Sequence, residues 1–219
     1  MAQVARHDGL ETSLPVGTIT LVLTDIAGST QLWEQDADAM AAAVRRHHEI
    51  FHAAIEQFQG HRPADQGEGD SIFAAFSTAT DAVSAILQAQ IAIASENWPT
   101  PKPLSVRAAI HTGEVELRDG RNYFGPSVNK TARLRGVAHG GQVLVSQVTR
   151  DLTQGHLPAG AEYSDLGLHR LKDLSLPEHV YQLTHPGLQS EFPSIKSLDS
   201  VANNLPVQLT TLIGRTDEV

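Results

Sequence analysis

The sequence predicts an α+β domain in which helices pack on a mainly antiparallel sheet. The stretch TITLVLTDI (18–26) is apolar and rich in β-branched residues, which is typical of a buried strand. Between Asp36 and Phe58, apolar side chains recur three, four and seven positions apart, which indicates a long helix with one buried face. The patterns that follow complete the order β-α-β-β-α-β with additions, which is an order typical of α+β domains.

The remaining elements follow from local signals. AGST opens a short helix, for which Ser29 and Thr30 are capping candidates. HRPADQ and SIFAAF are predicted as two strands around the turn QGEGD, and Ala79 to Glu96 as a helix. LSVRAAIHTGEVELRDG is predicted as a strand, a turn and a second strand. A short helix from Pro126 to Ala138 follows, then the strand QVLVS, the short helix SQVTRDLT and two closing strands, GAEYSDLGLHRLKDL and EHVYQLT.

Composition narrows the class of protein. The chain has 219 residues, a formal net charge of −9 and no cysteine. The negative charge argues against nucleic acid or an anionic membrane as the main partner. Disulfide and thiolate chemistry are excluded, and the cytoplasm is the expected compartment. The most apolar helical stretch, residues 82–94, is too short to span a bilayer.

The chain is predicted to have three parts. Residues 1–16 read as a leader and residues 17–185 as the folded domain. Residues 186–219 begin with a polar stretch that reads as a linker, and LPVQLTTLIGRTDEV then starts a new apolar pattern. The last part is therefore predicted as a linker and the truncated start of a following module.

Two acidic residues stand at predicted strand ends. Asp25 ends the first strand and Asp70 precedes the strand SIFAAF, so both carboxylates could lie together. Divalent cations such as Mg²⁺ bind one or two carboxylates together with phosphate oxygens and water. The amides that follow Gly28 could receive a phosphate at the start of a helix. The alternative is that Asp25 caps a helix and Asp70 shapes a turn, as acidic residues commonly do.

Asn129 and Arg133 lie four residues apart on the predicted short helix, so they share one face. An arginine there could stabilise charge that develops on a phosphorus atom during phosphoryl transfer. The alternative is an ordinary solvated helix face.

Four motifs occur in order: LTDIAGST, QGEGDSIFAAF, VRAAIHTGEV and NYFGPSVNKTARL. In sequence and spacing they resemble the catalytic domain of class III nucleotidyl cyclases over about residues 17–184, in particular the bacterial branch in which this domain precedes a regulatory ATPase. The tail NLPVQLTTLIGR resembles the entry to that ATPase module. The resemblance implies the ferredoxin-like βαββαβ core of this family.

The resemblance also implies a two-metal reaction. Asp25 and Asp70, with the carbonyl of Ile26, would hold two Mg²⁺ or Mn²⁺ ions. The ribose 3′-hydroxyl of ATP attacks the α-phosphorus, and cyclic AMP and pyrophosphate form. Phosphates would lie at Gly28, Ser29 and Thr30, while Asn129 and Arg133 would orient the ribose and stabilise the transition state.

The predicted base pocket departs from the family pattern. Typical adenylyl members carry a lysine and an aspartate where this chain has Gln66 and Asn122. Because each amide both donates and accepts, and could be flipped, we expect ATP as the main substrate with GTP as a secondary one. Lys172 is a candidate for the triphosphate, with a solvated strand lysine as the alternative. Glu68 is predicted to lie on the surface, and His111 is predicted to be structural.

Family active sites form between two domains, so the resemblance implies a head-to-tail homodimer with two shared sites. The competing hypothesis is a degenerate cyclase domain that senses nucleotide or mediates dimerisation. The substitutions at Gln66 and Asn122 favour that hypothesis. The four intact residues Asp25, Asp70, Asn129 and Arg133 favour an active enzyme. A third hypothesis, a diguanylate-type cyclase or polymerase palm, lacks support from the Asn-Arg helix.

Overall fold

The computed structural model describes residues 14–63, 66–67 and 69–198. These residues form one mixed sheet with five helices packed on its two faces. The strands are β1 (Gly17–Ile26), β2 (Ile72–Phe76), β3 (Val106–Arg118), β4 (Asn122–Phe124), β5 (Val143–Ser146), β6 (Glu162–His169) and β7 (Glu178–Thr184). The helices are α1 (Ser29–Gln35), α2 (Ala37–Gln57), α3 (Ala79–Ser95), α4 (Pro126–Val137) and α5 (Gln147–Thr153).

The sheet has the order β2-β1-β3-β5-β7-β6, with β4 paired to the end of β3. Every pairing is antiparallel except that of β3 with β5. His61 forms an isolated bridge with Ala75 at the outer edge of β2. Among the described residues of the predicted strand HRPADQ, this bridge at His61 is the only strand pairing, and the order of the βαββαβ core is otherwise retained. The predicted α+β class is confirmed.

Strand β1 is buried on both faces, which explains its continuous apolar sequence. Val22 and Ile26 belong to the large core cluster formed with α2 and α3. Ile19, Leu21 and Leu23 face the opposite side, where they form a second cluster with Tyr123 and partly buried residues of α4. Strand β1 is thus packed on both faces, and its carboxyl end carries Asp25.

The predicted turn within LSVRAAIHTGEVELRDG is wrong. Strand β3 runs without interruption for 13 residues. It pairs with the full length of β1, from Val106 opposite Ile26 to Val115 opposite Gly17, and its last three residues pair with β4. Gly113 is needed within this strand for another reason. A Cβ at this position would collide with Oγ of Ser127 on α4, so the glycine allows α4 to approach the sheet closely.

The predicted caps of the first helix are also wrong. Gly28 is the N-cap of α1, with a φ of 72°, and neither Ser29 nor Thr30 caps the helix with its side chain. Glycine suits this position because it adopts a positive φ without steric cost. The next helix follows the expected rule, since the Asp36 carboxylate accepts a hydrogen bond of 2.9 Å from the amide of Ala39.

Residues 186–198, in the stretch predicted as a linker, contain neither a regular α-helix nor a strand, but they pack along the domain. Ile195 is 3% exposed and belongs to a core cluster with Leu134 and Val180. The amide of Lys196 donates to the carbonyl of Val137 at the end of α4. The division of the chain at residue 185 remains a prediction.

Across the described ranges, no helix combines the length and the apolar composition needed to cross a bilayer.

Candidate active site

The two predicted metal-binding carboxylates lie at one edge of the sheet. Strands β1 and β2 are antiparallel, with Thr24 opposite Ile72, so the end of β1 meets the start of β2. Asp25 is the next-to-last residue of β1, and Asp70 lies two residues before β2. Oδ2 of Asp70 accepts a hydrogen bond of 3.3 Å from the amide of Ile26. The carboxylates and the Ile26 backbone are therefore neighbours, because of strand pairing.

An arginine that the sequence analysis missed is bound to Asp25. Arg107 lies directly opposite Asp25 in the pairing of β1 with β3. Its Nε donates to Oδ1 of Asp25 at 2.7 Å, and its Nη2 donates to Oδ2. Both side chains are largely shielded, with exposed fractions of 28% and 15%. The charge pair could have been predicted only from the register of the two strands.

A second arginine approaches the same carboxylate from α4. Nε of Arg135 lies 3.9 Å from Oδ2 of Asp25, and its Nη1 lies 3.5 Å from Oγ of Ser71. These distances are longer than those of good charge-assisted hydrogen bonds. Arg135 was also missed, because its position on α4 is two residues past Arg133 and carries no motif of its own.

The donor atoms at this edge suit a hard divalent cation. Two carboxylates and one backbone carbonyl are oxygen ligands of the kind that Mg²⁺ and Mn²⁺ prefer. Within the described residues, no three or more His, Asp or Glu side chains converge to form a complete metal cage. The set fits a cation that takes its remaining ligands from phosphate and water, provided that Arg107 withdraws from Asp25.

The predicted phosphate-binding segment follows directly. Gly28, Ser29 and Thr30 lie where β1 passes into α1, three to five residues after Asp25. The first amides of a helix have no partner within the helix and can face an anion. Gly28 and Thr30 are exposed.

Helix α4 presents its two predicted functional residues to solvent. Asn129 and Arg133 are both exposed and share a face of the helix. Arg133 forms an ion pair of 2.5 Å with Asp173, in the loop between β6 and β7. Arg135 lies about 200° further around the helix, and it is Arg135 that reaches Asp25. The structure therefore does not bring Arg133 together with Asp25 and Asp70 of its own chain.

Lys172 precedes Asp173 in the same loop, is exposed, and lies beyond the end of β6. The prediction that it belongs to a strand is wrong.

The two residues of the predicted base pocket are held together through Tyr123. Nε2 of Gln66 donates to the carbonyl of Tyr123 at 3.0 Å, and its Oε1 accepts from the Tyr123 amide at 2.8 Å. Asn122 is the neighbouring residue, at the start of β4. This double contact contradicts the expectation that the Gln66 amide flips freely, since a flip would break both hydrogen bonds.

Three histidines of the folded domain have lowered pKa values. Burial lowers the pKa of His111 to about 4, and the nearby charge of Lys130 adds to the effect. Its Nδ1 is 2.8 Å from Oγ of Ser146, in keeping with the predicted structural role. Burial also lowers the pKa of His47 on α2 to about 3, with smaller contributions from His48 and Arg62. His48 has a lowered pKa for the same first reason, desolvation. Glu68 lies outside the described residues.

This combination of fold and edge geometry matches a known family. The model of the adenylate and guanylate cyclase catalytic domain matches residues 12–184. The chain belongs to the adenylate and guanylate cyclase family. The class III resemblance seen in the four sequence motifs is thereby confirmed.

Individual relatives of this cyclase domain support the assignment. An uncharacterized protein of Mycobacterium tuberculosis (strain ATCC 25618 / H37Rv) is 42% identical over 216 residues, which cover 97% of this chain and 73% of that protein. An adenylate cyclase of Podospora anserina is 30% identical over 227 residues, covering 79% of this chain but only 10% of the fungal protein. A structure of an adenylate cyclase from Trypanosoma brucei in its monomeric state superposes with a TM-score of 0.74, at 26% identity, covering 85% of this chain and 98% of that one.

Proposed function

We propose that the protein is an adenylate cyclase that converts ATP to 3′,5′-cyclic AMP and pyrophosphate, with GTP as a secondary substrate. The observation that carries the proposal is the meeting of Asp25 and Asp70 at one rigid sheet edge, with the Ile26 backbone between them. Family membership makes cyclisation the reaction that this edge best supports.

Asp25, Asp70 and the carbonyl of Ile26 would hold two Mg²⁺ or Mn²⁺ ions. When bound, these ions lower the pKa of the ribose 3′-hydroxyl and neutralise the phosphates. The protein's own part would be to hold the two carboxylates near each other, and the pairing of Thr24 with Ile72 next to them supports this role. Arg107 would leave Asp25 and could contact a phosphate oxygen, because its guanidinium needs a new anionic partner once the carboxylate is taken. Gly28, Ser29 and Thr30 would receive phosphate through their amides.

We propose that Asn129 and Arg133 act on the substrate of a partner copy. Both are exposed on the face of α4 that is turned away from Asp25, so a second chain in head-to-tail contact could use them. Arg133 would give up its ion pair with Asp173, which costs little because both side chains are about half exposed. The resulting homodimer has two equivalent shared sites. Lys172, next to Asp173, would reach the triphosphate in the same assembly.

Gln66 and Asn122 would read the purine edge. With two of its hydrogen-bonding positions taken by Tyr123, Gln66 keeps one N–H and one lone pair for a ligand. A donor and an acceptor remain together, so the pocket has no fixed polarity and favours ATP over GTP only modestly.

The first experiment measures the products directly. Purified protein is incubated with Mn²⁺ and either ATP or GTP, and cyclic AMP and cyclic GMP are quantified, with Asp70→Ala alongside. We expect cyclic AMP in the larger amount, cyclic GMP in the smaller, and both lost in the variant. No product from either nucleotide, at concentrations where the protein is dimeric, would contradict the proposal.

A mixing experiment tests the shared site. Asp70→Ala and Arg133→Ala are each expected to be inactive as homodimers. In a mixed dimer, one of the two sites receives both intact residues, so equal amounts of the two variants should regain about one quarter of the wild-type rate after subunit exchange. No recovery in mixed dimers that are shown to form would place both residues in the same site of one chain.

One observation favours a second function. The two-pronged contact of Arg107 with Asp25 neutralises a carboxylate that the enzyme would need for metal binding. A domain that only senses nucleotide or mediates dimerisation would retain such a pair permanently. Nucleotide binding by calorimetry without product formation, with or without Mn²⁺, would support this module over the enzyme.

The net charge of −9 and the lack of cysteine suit work in the cytoplasm, where ATP is abundant, and we propose that location. We also propose that residues 186–219 connect the cyclase domain to a following module.

A further inference from the structure

Arg135 has a position that its structural contacts do not explain. Its side chain is 25% exposed, and its Nε is fully buried without a hydrogen-bond acceptor among the described residues. The two nearest polar partners are Oδ2 of Asp25 at 3.9 Å and Oγ of Ser71 at 3.5 Å. A guanidinium that is withdrawn from water normally gains close acceptors in return. The Nε–H of Arg135 is withdrawn from water without that compensation.

Asp25 does not supply the missing acceptor. Arg107 already occupies both of its oxygens with a two-pronged contact. The position of Arg135 is set instead by α4, because the adjacent Leu134 is completely buried in a core cluster. The helix therefore holds a second cation against the carboxylate edge whether or not an acceptor is present there.

The charges at this edge are balanced for a particular ligand. The two carboxylates are matched by the two guanidinium groups of Arg107 and Arg135. Divalent cations alone would leave the edge strongly positive. Cations that arrive together with a polyphosphate restore the balance, because the two ligands have opposite charges of similar size.

We propose that Arg135 binds polyphosphate from the metal-holding half of the site, by contacting oxygens of the pyrophosphate part of the nucleotide. The same charge opposes metal binding at Asp25 and Asp70 when no polyphosphate is present. Arg135 thereby couples the entry of metal to the entry of nucleotide. This inference rests on the proposed cyclase function. It assigns a substrate contact to a residue that lies outside the four sequence motifs.

The test uses two binding measurements that need no turnover. Free Mn²⁺ is followed by electron paramagnetic resonance during titration of the full chain without nucleotide, and pyrophosphate affinity is measured by calorimetry at saturating Mn²⁺. For Arg135→Gln, we expect Mn²⁺ to bind about tenfold more tightly and pyrophosphate about tenfold more weakly than in the wild type. Arg46→Gln is the matched control, since Arg46 is an exposed arginine on α2 that pairs with Glu49 and Glu96.

The opposite signs of the two changes identify the role. A residue that merely supported the local fold would lower both affinities together, and an irrelevant one would change neither, so either result overturns the proposal. Arg135→Lys retains the charge and should keep the weak Mn²⁺ binding while restoring part of the pyrophosphate affinity. If Arg135→Gln does not fold, as judged by circular dichroism, this lysine variant decides, because unchanged pyrophosphate affinity would contradict a contact through the guanidinium fork.

The outcome is separable from that of the proposed function. If the wild-type protein binds Mn²⁺ and pyrophosphate and Arg135→Gln changes both affinities as expected, but no cyclic nucleotide forms, only the enzyme proposal is contradicted. If the wild-type protein cyclises ATP and Arg135→Gln binds Mn²⁺ and pyrophosphate with wild-type affinities, only the Arg135 proposal is contradicted.

Discussion

The double substitution Gln66→Lys with Asn122→Asp should convert an undiscriminating base pocket into one that selects adenine. The new lysine can only donate, to adenine N1, and the new aspartate can only accept, from the 6-amino group. Guanine presents a donor and an acceptor at these positions in the reverse order, so each contact becomes a mismatch. One mismatched hydrogen bond to a charged group costs on the order of 1.5–3 kcal/mol. One such mismatch corresponds to a factor of about ten to one hundred, so with two we expect the ratio of kcat/KM for ATP to that for GTP to rise by at least this factor.

The structure also predicts a cost in stability. Gln66 makes two hydrogen bonds to the backbone of Tyr123, at 3.0 and 2.8 Å, and Tyr123 is 1% exposed. Lysine can still donate to the carbonyl but cannot accept from the amide. The unpaired N–H should lower the free energy of unfolding by about 1–3 kcal/mol. An ion pair between the two new charges would return at most about 1 kcal/mol of this loss.

The assay pairs steady-state rates on ATP and on GTP with urea unfolding. Gln88→Lys is the matched control, because Gln88 forms an exposed amide contact with Gln57 and lies on α3, away from β4. It should leave both the substrate ratio and the unfolding midpoint nearly unchanged. If the double variant still uses GTP as well as the wild type does, the assignment of Gln66 and Asn122 to the base pocket is wrong.

Three further predictions concern other parts of the molecule. Asn129→Ala should reduce kcat by about 10²–10³-fold, because an oriented hydrogen-bond donor to the transition state is lost. Sedimentation should show that the variant is still a dimer. An unchanged kcat would show that Asn129 does not act in the site. Ile195→Ala should lower the free energy of unfolding, measured in urea, by about 2–5 kcal/mol, because Ile195 is 3% exposed and lies in a core cluster. Leu198→Ala is the control and should have little effect, since Leu198 is 55% exposed. Equal effects of the two substitutions would contradict the docking of residues 186–198. The pKa of His47 is about 3 in the folded chain against an ordinary value of 6.5, so the unfolded chain takes up the proton first, and stability falls as the pH drops from about 6.5 toward 3. His47→Leu should therefore reduce the loss of stability between pH 7.5 and pH 5 by about 2 kcal/mol, and an unchanged loss would show that the ring is protonated when folded.

The residues whose local sequence carries a strong signal were predicted well. The helix at Asp36–Phe58 follows apolar periodicity and an N-cap, and the structure has it as Ala37–Gln57 with Asp36 as the cap. The apolar run before Asp25 likewise becomes β1. The turn expected in the middle of β3 was wrong, because pairing with β1 continues through the local Thr-Gly pair, as far as Val115, and outweighs its turn preference.

Contacts between distant parts of the chain could not be predicted from local pattern. No local pattern marks Arg107 as a site residue, and only the strand register shows that it lies opposite Asp25. Arg135 lacks a motif, and only the packing of α4 on the sheet directs it to the same carboxylate. The mainly polar composition of residues 186–198 conceals the burial of Ile195, which enters a core cluster.

The sequence by itself determined the family, the order of most elements and the chemical types at the candidate site, because these depend on residue identity, periodicity and motif spacing. Only the tertiary structure decided the state of those residues. It binds Asp25 to Arg107, fixes the orientation of the Gln66 amide through Tyr123, and pairs Arg133 with Asp173 instead of with Asp25 or Asp70. These outcomes depend on strand register and helix packing, which bring together residues 40 to 110 positions apart in the sequence.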